Sequence, residues 1–237
     1  MENAGYTTLT RQAGLMREMS VVANNIANAA TSGFRQEGLM FSEYVQKTDG
    51  GPSLSMALGN IGNTSMMQGS LTKTGGTFDF AIEGDGFFMV ETPLGERLTR
   101  AGSFSPNAEG DLVNMDGFRV LDSGGAPIFI PPDAHDLTVA QDGTISSNGK
   151  PLSQLGLFLP NDSAAMTRED GVLFRADAGA EITEGARIMQ GFIEGSNVDA
   201  VSQITRMIEV QRAYEMGQGF LDSENERVRS ALRTFIK

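Results

Sequence analysis

Cysteine is absent from the sequence and histidine occurs once, and both scarcities restrict the chemistry of the chain. Without cysteine there is no disulfide, no thiol nucleophile and no thiolate zinc site. The single histidine, His135, falls in a predicted loop and has no second histidine with which to form a metal site or a hydrolytic triad. We therefore expect no enzymatic activity, no metal and no cofactor, and we assign no catalytic residue.

Basic residues are also scarce: 18 lysines and arginines stand against 30 aspartates and glutamates, which gives a formal net charge of −12. A chain of this charge lacks the basic surface that attracts phosphate backbones, so we expect no nucleic-acid partner. The acidic excess lies in the middle, because residues 36–196 hold 22 acidic and 9 basic side chains, whereas both termini are close to neutral. Neutral termini can pack closely while a charged central region stays in solvent.

Long hydrophobic runs are missing as well. No stretch approaches the roughly 20 apolar residues that a membrane span needs, and the early sequence lacks the continuous apolar region of a signal peptide. We expect no membrane insertion. If the protein leaves the cytoplasm, we expect a route that does not depend on a cleaved signal.

Short acidic and glycine-rich stretches do not form a ligand site. Asp116-Gly117 and Asp142-Gly143 stand between apolar runs and are typical of hairpin turns in which glycine takes a positive φ. Gly84-Asp85-Gly86 is too short for a phosphate-binding loop, and Glu169 and Asp170 are adjacent rather than placed across a cleft. We expect no small-molecule substrate. A secreted enzyme or carbohydrate-binding module remains the alternative from another functional class.

Residues 4–30 carry apolar side chains at heptad-like spacing and predict one long helix. One apolar stripe consists of Leu15, Met19, Val22, Ile26 and Ala29. At 1.5 Å per residue the helix would be about 40 Å long. Thr31, Ser32 and Gly33 predict its end, because glycine readily adopts the left-handed conformation found at helix C-termini.

A second long helix is predicted at the C-terminus, where Ser196 and Asp199 have the spacing of a capping box. The apolar pattern that follows includes Val201, Ile204, Ile208, Val210, Tyr214, Leu221, Val228, Leu232 and Phe235. Gly217 and Gly219 predict a bend or a point of close packing. Each helix has an apolar stripe that must be covered, so we expect the two to pair in a coiled-coil-like layer or to pack against other subunits.

The region between the helices differs from both. Residues 50–70 are rich in Gly, Ser, Asn and Met without a sustained period and predict an extended linker, whereas short alternating runs separated by turn residues follow from Leu71 to Glu194. The predicted fold class is α+β, with a central, mostly antiparallel β domain inserted between long N- and C-terminal helices. The predicted boundaries are 1–36 for the N-terminal helix, 37–70 for the linker, 71–195 for the β domain and 196–237 for the C-terminal helix.

Three motifs, in order along the chain, resemble those of flagellar rod and hook proteins. The first is Ala23-Asn24-Asn25-Ile26-Ala27-Asn28, followed by Thr31-Ser32-Gly33-Phe34-Arg35. The second comprises Leu71–Gly75, Asp79–Val90 and Leu98–Phe104, and the third is Glu194–Val198 leading into Met207–Tyr214. The resemblance covers nearly the whole chain. Arg35 stands where many members carry lysine, and both side chains are cations.

Within that family, the compact length, the opening Glu2-Asn3-Ala4 and the stretch Asp170–Arg175 most resemble subunits of the proximal rod. A distal-rod or hook-type axial subunit is the alternative. The resemblance implies a structural subunit of the bacterial flagellar basal body, located in the rod that crosses the periplasm. It also implies export by the flagellum-specific type III apparatus and polymerisation into the drive shaft that transmits torque.

The expected partners are therefore other rod proteins, copies of the chain itself and the flagellar export apparatus. In this family the terminal helices form the inner layer of the rod, which gives a set of predicted assembly residues. They are Leu15, Met19, Val22, Asn24, Asn25, Ile26, Asn28, Ile204, Ile208, Tyr214 and Leu221. Because asparagine is a weak helix former, we expect Asn24, Asn25 and Asn28 to make hydrogen bonds between subunits or at a helix end.

Overall fold

A computed structural model describes residues 2–46, 54–183 and 185–235 of the chain. Two long helices, α1 (Glu2–Ala27) and α2 (Ala200–Phe235), enclose the strands in sequence, and a short 3-10 helix spans Ser163–Ala165. The strands are β1 (Glu37–Gln46), β2 (Leu54–Thr64), β3 (Leu71–Lys73), β4 (Phe80–Glu83), β5 (Phe88–Thr92), β6 (Gly95–Thr99), β7 (Ser105–Pro106), β8 (Leu112–Val113), β9 (Arg119–Val120), β10 (Thr138–Val139), β11 (Thr144–Ser147), β12 (Lys150–Gln154), β13 (Phe158–Pro160), β14 (Met166–Asp170), β15 (Leu173–Ala176), β16 (Ala180–Ile182), β17 (Arg187–Gln190) and β18 (Phe192–Glu194). All strand pairs are antiparallel. The predicted α+β class, with a β region between two long helices that pack together, is confirmed.

The described residues form two compact units. The helical unit draws on residues 1–29, 36–65 and 198–237, and the β unit on residues 30–35 and 66–197. The chain therefore enters or leaves the β unit at residues 30, 35, 66 and 197.

In the helical unit, β1 and β2 form an antiparallel pair that packs against α1. The pairing runs from Glu37 opposite Thr64 to Gln46 opposite Leu54. The sequence predicts an extended linker here, and the described part of that segment instead contains paired strands. The physical reason is that strand pairing satisfies backbone N–H and C=O groups whatever the side chains are, so a segment without apolar periodicity can still form a ladder. Residues 47–53 lie outside the described residues.

The turn that follows α1 uses glycine as predicted. The helix ends at Ala27, three residues before the predicted end, and the chain turns through Asn28 to Ala30. Gly33 has a φ of 71°, which confirms the left-handed conformation expected of it. A Cβ atom at Gly33 would lie 2.2 Å from the backbone nitrogen of Ala101, so a side chain is excluded by space as well as by backbone strain.

The start of α2 is capped by Asp199 rather than by a box between Ser196 and Asp199. The Asp199 carboxylate accepts hydrogen bonds from the backbone nitrogen of Val201 at 3.1 Å and from the hydroxyl of Ser202. The helix begins at Ala200, one residue after this cap. The capping box predicts Ser196 as the cap, whereas the observed cap, Asp199, lies three residues later. Serine and aspartate are both favourable capping residues, so the sequence pattern alone does not choose between them.

The stability contributed by the Asp199 cap should depend on pH. The hydrogen bonds from Ser202 and Val201 lower the pKa of Asp199 below its ordinary value. Because the folded-state pKa is lowered, the contribution is fully present above the unfolded pKa of about 4 and is lost as pH falls through the folded value. Asp199→Ala should therefore lower the melting temperature by a few degrees at neutral pH, with a difference that shrinks in acid. Thermal unfolding of both proteins across a pH series checks this, and a pH-independent difference would contradict it.

The β unit is built around a seven-stranded sheet with the order β14-β15-β6-β5-β9-β8-β7. Proline in the edge strand β7 is compatible with this order, because an edge position needs no further ladder hydrogen bond. Smaller sheets pair β10-β11-β12, β13-β16, β17-β4 and β18-β3. The predicted turns at Gly117 and Gly143 are confirmed, since both glycines have positive φ values of 83° and 87° between paired strands.

The sheet separates two apolar cores. Phe88 and Val90 of β5 point into the larger core, whereas Met89 belongs to the smaller one with Leu98 and Phe174. A central strand covered on both faces is apolar at consecutive positions, and this explains why Phe88, Met89 and Val90 are all buried. No described helix is long and apolar enough to span a membrane.

Candidate assembly surface and a buried ionic cluster

The two long helices pack along an apolar seam within the helical unit. Leu15, Val22 and Val210 are buried. Polar contacts run beside the seam: the Gln12 side-chain amide donates to the backbone oxygen of Tyr214 at 2.9 Å, and Arg206 Nε donates to Glu18 Oε1 at 2.7 Å. Because residue 12 meets residue 214 and residue 18 meets residue 206, the helices run antiparallel.

The predicted assembly residues fall into three groups by exposure. The buried members are Leu15, Val22 and Asn25, the partly buried members are Met19, Ile26, Asn28, Tyr214 and Leu221, and the exposed members are Asn24, Ile204 and Ile208. The structure therefore leaves the exposed isoleucines open to another subunit and covers the buried three within the chain itself. Their assignment to an interface stays a prediction.

The asparagines make hydrogen bonds inside the chain. The Asn25 side-chain nitrogen donates to the backbone oxygen of Glu37 at 2.7 Å and to Gln203 Oε1 at 3.1 Å, and Asn25 Oδ1 accepts from the Glu37 nitrogen at 2.9 Å. Asn28 donates to the backbone oxygen of Asn24 at 2.9 Å. Asn25 thus ties the last turn of α1 to the start of β1 and to α2. Hydrogen bonds between subunits or at a helix end were expected of the asparagines. These bonds lie within the chain near the end of α1, and a contact between subunits stays a prediction.

Both helices expose more apolar side chains than the predicted set contains. Ten of the nineteen large apolar residues exposed in the described part of the chain lie in α1 or α2. Those that the prediction missed are Tyr6, Leu9, Met16, Val201, Met216, Phe220, Val228 and Leu232. The signal that could have found them is their helical phase, because most of them lie off the stripe that forms the seam.

A cluster of three buried charged side chains lies in the β unit. Arg35, Arg100 and Glu194 are only 1%, 2% and 1% exposed. Arg100 donates to Glu194 Oε2 at 2.9 Å, and an Arg35 guanidinium nitrogen lies 3.3 Å from Glu194 Oε1. One carboxylate therefore contacts both buried cations, and Asp85 adds a further attraction to each of them.

This ionic cluster joins the segments at which the chain enters and leaves the β unit. The backbone nitrogen of Gly69 donates to Glu194 Oε1 at 3.0 Å, and Gly33 donates to the backbone oxygen of Glu194 at 2.8 Å. Arg35 also donates to the backbone oxygens of Met66 and Met67. The backbone oxygen and the carboxylate of Glu194 therefore hold together three segments of the β unit. These segments end at residue 35, begin at residue 66 and end at residue 197.

Burial dominates the electrostatics of the cluster. It lowers the pKa of Arg35 to about 10, against the attraction of Glu194, and it lowers the pKa of Arg100 for the same reason. Arg35 nevertheless remains a cation at neutral pH, since its pKa lies well above 7. These contacts were not predictable from the sequence, because Arg100 and Glu194 are 94 residues apart.

Among the described residues, no group of three or more histidine, aspartate or glutamate side chains is arranged to hold a metal ion. The surface feature that stands out is the exposed apolar faces of the helices, whereas the ionic cluster is buried within the β unit.

Comparison with known proteins assigns the chain to a family. Residues 6–35 match the model of flagella basal body rod proteins, residues 81–147 the D1 domain of flagellar hook proteins FlgE/F/G, and residues 189–234 the C-terminal region of flagellar basal body rod FlgEFG proteins. The flagellar basal-body rod protein FlgF of Caulobacter vibrioides is 40% identical, with 100% of this chain and 99% of the relative covered. The chain belongs to the flagellar basal-body rod protein family. As a rod protein it is a structural component of the bacterial flagellar basal body.

Two further relatives place the rod protein within its family. The flagellar basal-body rod protein FlgF of Mesorhizobium japonicum is 38% identical over 91% of this chain and 90% of its own length. The flagellar basal-body rod protein FlgG of Agrobacterium fabrum is 34% identical over 88% of this chain and 90% of its own length. Arg35, Arg100 and Glu194 each lie in a different one of the three matched regions. The ionic cluster therefore joins all three family regions of the rod protein.

Proposed function

We propose that this rod protein is a subunit of the proximal rod that polymerises, with other rod proteins and with copies of itself, through its terminal helices. In this arrangement the helices form the inner layer, the β domain of residues 71–195 lies outside it, and the assembled rod transmits torque. The protein acts as a building block and not as an enzyme. The FlgF relatives of Caulobacter vibrioides and Mesorhizobium japonicum, at 40% and 38% identity, exceed the FlgG relative of Agrobacterium fabrum at 34%, which supports the proximal over the distal assignment.

The exposed apolar faces of α1 and α2 carry this proposal. Ile204 and Ile208 are 50% and 45% exposed, and both stand on the part of α2 that α1 does not cover. Fully burying one such side chain contributes about 1.5–3 kcal/mol, so several of them per subunit favour association strongly. Part of that gain is offset by the ordering of the helix surfaces on assembly.

Charge also favours close packing of the helices between subunits. Residues 197–237 contain six acidic and six basic side chains, and residues 1–35 contain two acidic and three basic ones. Near-neutral helices approach one another without the repulsion that the acidic central region would cause. A dense helix layer resists twisting, because each subunit makes the same tight contacts with its neighbours.

We further propose export through the flagellum-specific type III apparatus, because the rod to which this family contributes lies outside the cytoplasm. Secretion of the chain into the medium by rod-deficient cells, and its retention when the flagellar export ATPase is deleted, would support this route. Secretion that persists without the flagellar apparatus would exclude it.

A single apolar-to-charged change on α2 tests the proposed function. Ile208→Asp should reduce incorporation into isolated basal bodies, and swimming motility, at least tenfold, because a carboxylate cannot be buried at an apolar subunit contact. Ile182→Asp is the matched control, since Ile182 is 57% exposed in the β unit and should tolerate the same change. Native circular dichroism for both purified variants would show that neither is unfolded. Normal incorporation of Ile208→Asp would refute assembly through this helix face.

A further inference from the structure

We propose that Asn148 is a site of spontaneous covalent modification, at which the side-chain amide is lost by deamidation and part of the product is isoaspartate. Asn148 and Gly149 form the only Asn-Gly pair in the sequence. The inference does not depend on assembly into a rod, because it concerns one turn of the β unit and needs only water as a reactant.

The Asn-Gly pair forms the turn between β11 and β12. Ser147 is paired with Lys150, so the connection contains only two residues, and their φ values are 51° and 74°. Two central residues with positive φ are typical of the type I′ turn, in which Asn-Gly is strongly preferred. The sequence that suits this turn therefore also places glycine directly after asparagine.

The Asn148 side chain is accessible and weakly held. It is exposed, and the hydrogen bond that its Nδ2 atom donates to Ser147 Oγ is 3.5 Å long, beyond the usual range for such a bond. The space beside Gly149 is open, since a Cβ atom built at this position would meet no atom within 4 Å. Glycine also has the freedom in φ and ψ that lets its backbone nitrogen approach the Asn148 amide.

Other asparagines of the β unit are placed differently. Asn114 is 7% exposed, and its Oδ1 atom accepts two backbone hydrogen bonds at 3.1 and 2.9 Å. Asn161 is exposed like Asn148, but Asp162 follows it, and a side chain at the following residue hinders attack by the backbone nitrogen. Asn148 thus combines exposure, a weakly held amide and a following glycine, and Asn161 serves as an internal reference.

The reaction is balanced by water alone. The backbone nitrogen of Gly149, after losing its proton to hydroxide, attacks Cγ of Asn148 and closes a cyclic succinimide. The bond from Cγ to Nδ2 breaks, and Nδ2 takes up protons from solvent and leaves as ammonia. Water then opens the ring at Cγ, which gives isoaspartate or aspartate according to whether the bond to Cγ or to the backbone carbonyl is kept. No oxidant, reductant or cofactor takes part.

The isoaspartate product should alter the hairpin. Its main chain runs through Cβ and Cγ, so the two-residue connection becomes one carbon atom longer. Since the length of a hairpin connection fixes the register of its strands, the longer turn should loosen the pairing of β11 with β12. The hydrogen bonds of Ser147 with the backbone of His135, at 2.9 and 3.2 Å, should weaken with it.

Ageing of the purified full-length protein tests the inference. The protein is incubated at mildly alkaline pH, with circular dichroism to show that it stays folded, and samples are digested and analysed by tandem mass spectrometry. We expect deamidation at Asn148 at least ten times faster than at Asn161, with a rate that rises with hydroxide concentration. Methylation by an isoaspartyl methyltransferase detects the isoaspartate, and Asn148→Gln should remove this signal because glutamine would have to close a larger ring.

Two results would overturn the assignment of the site. One is loss of the amide at Asn161 as fast as at Asn148. The other is an Asn148 that stays intact in the folded protein but is converted in the chain unfolded by urea, because the turn would then keep the amide away from the nitrogen of Gly149.

Hydrogen exchange tests the effect on the hairpin. Fresh protein, aged protein and Asn148→Asp are compared, since the aspartate variant carries the added charge on an unaltered main chain. We expect faster exchange at residues 138–154 in the aged protein alone. Equal exchange in fresh and aged protein, or the same increase in Asn148→Asp, would show that the longer main chain does not disturb the strand pairing.

Discussion

Glu194→Gln is expected to lower the free energy of unfolding of the protein by about 3–5 kcal/mol, because it removes the only carboxylate that contacts both buried cations among the described residues. Arg35 and Arg100 are 1% and 2% exposed, and Glu194 is the carboxylate that contacts both. A neutral amide keeps the size of the side chain and removes only its charge. The loss should appear as a lower urea midpoint for the β-rich unit.

The control for this prediction is Glu83→Gln, which removes one exposed carboxylate from β4 of the same unit. Its urea midpoint should match that of the native protein, because an exposed charge contributes little to stability. A Glu194→Gln midpoint indistinguishable from that of Glu83→Gln would mean that the cluster is relaxed by water or by movement of the arginines, and that it does not hold the entry segments together.

The cluster also has a consequence for function. Three segments connect the β unit to the rest of the chain: residues 30–35, 66–70 and 194–197. All three make hydrogen bonds to Glu194 or contain it. A rod subunit that transmits torque must resist separation of these segments under load, and the ion pairs and backbone hydrogen bonds of Glu194 link all three of them. Loss of the carboxylate should therefore weaken swimming even where the variant still folds.

Asn25→Asp is expected to lower the free energy of unfolding of the helical unit by roughly 3 kcal/mol. The buried carboxylate would have no N–H to donate and would face two oxygen acceptors. The Asn25 side-chain nitrogen donates to the backbone oxygen of Glu37 and to Gln203 Oε1, and Asn25 is 1% exposed. Asparagine and aspartate have nearly the same size and shape, so the packing is preserved while the hydrogen-bond pattern and the charge change.

Asn24→Asp provides the matched control, since Asn24 is the preceding residue of the same helix and is exposed. Thermal unfolding followed by far-UV circular dichroism should show a lower melting temperature for Asn25→Asp alone. Equal melting of the two variants would contradict the intramolecular role of Asn25 and would return it to the set of candidate inter-subunit contacts.

The local features of the fold were predictable because they depend on neighbours in sequence. Heptad spacing predicted both long helices, and Gly33, Gly117 and Gly143 marked turns that need positive φ. The pairing of β1 with β2 was not predictable, because it depends on backbone hydrogen bonds between segments that show no side-chain period. The cap at Asp199 was missed by three residues for a related reason: a local pattern offered two acceptable choices.

The candidate site was predictable only as a pair of helices. The heptad pattern gives apolar residues that share a face, but it does not say which face the partner helix covers. The structure shows that Leu15 and Val22 are covered within the chain and that Ile204 and Ile208 are open, although all four were predicted to act together. The exposed side chains Met16 and Phe220 were missed because they lie off the predicted stripe.

The sequence by itself determined the two terminal helices, the β-rich insertion, the concentration of acid in residues 36–196 and the resemblance to rod proteins, since each of these can be recognised from residues close together in the chain. Only the tertiary structure decided the hydrogen-bond partners of Asn25 and the meeting of Arg35, Arg100 and Glu194. Asn25 and Gln203 are 178 residues apart, and Arg100 and Glu194 are 94 apart. Contacts at such separations depend on how the whole chain returns on itself, and burial then fixes which charges and amides must be paired.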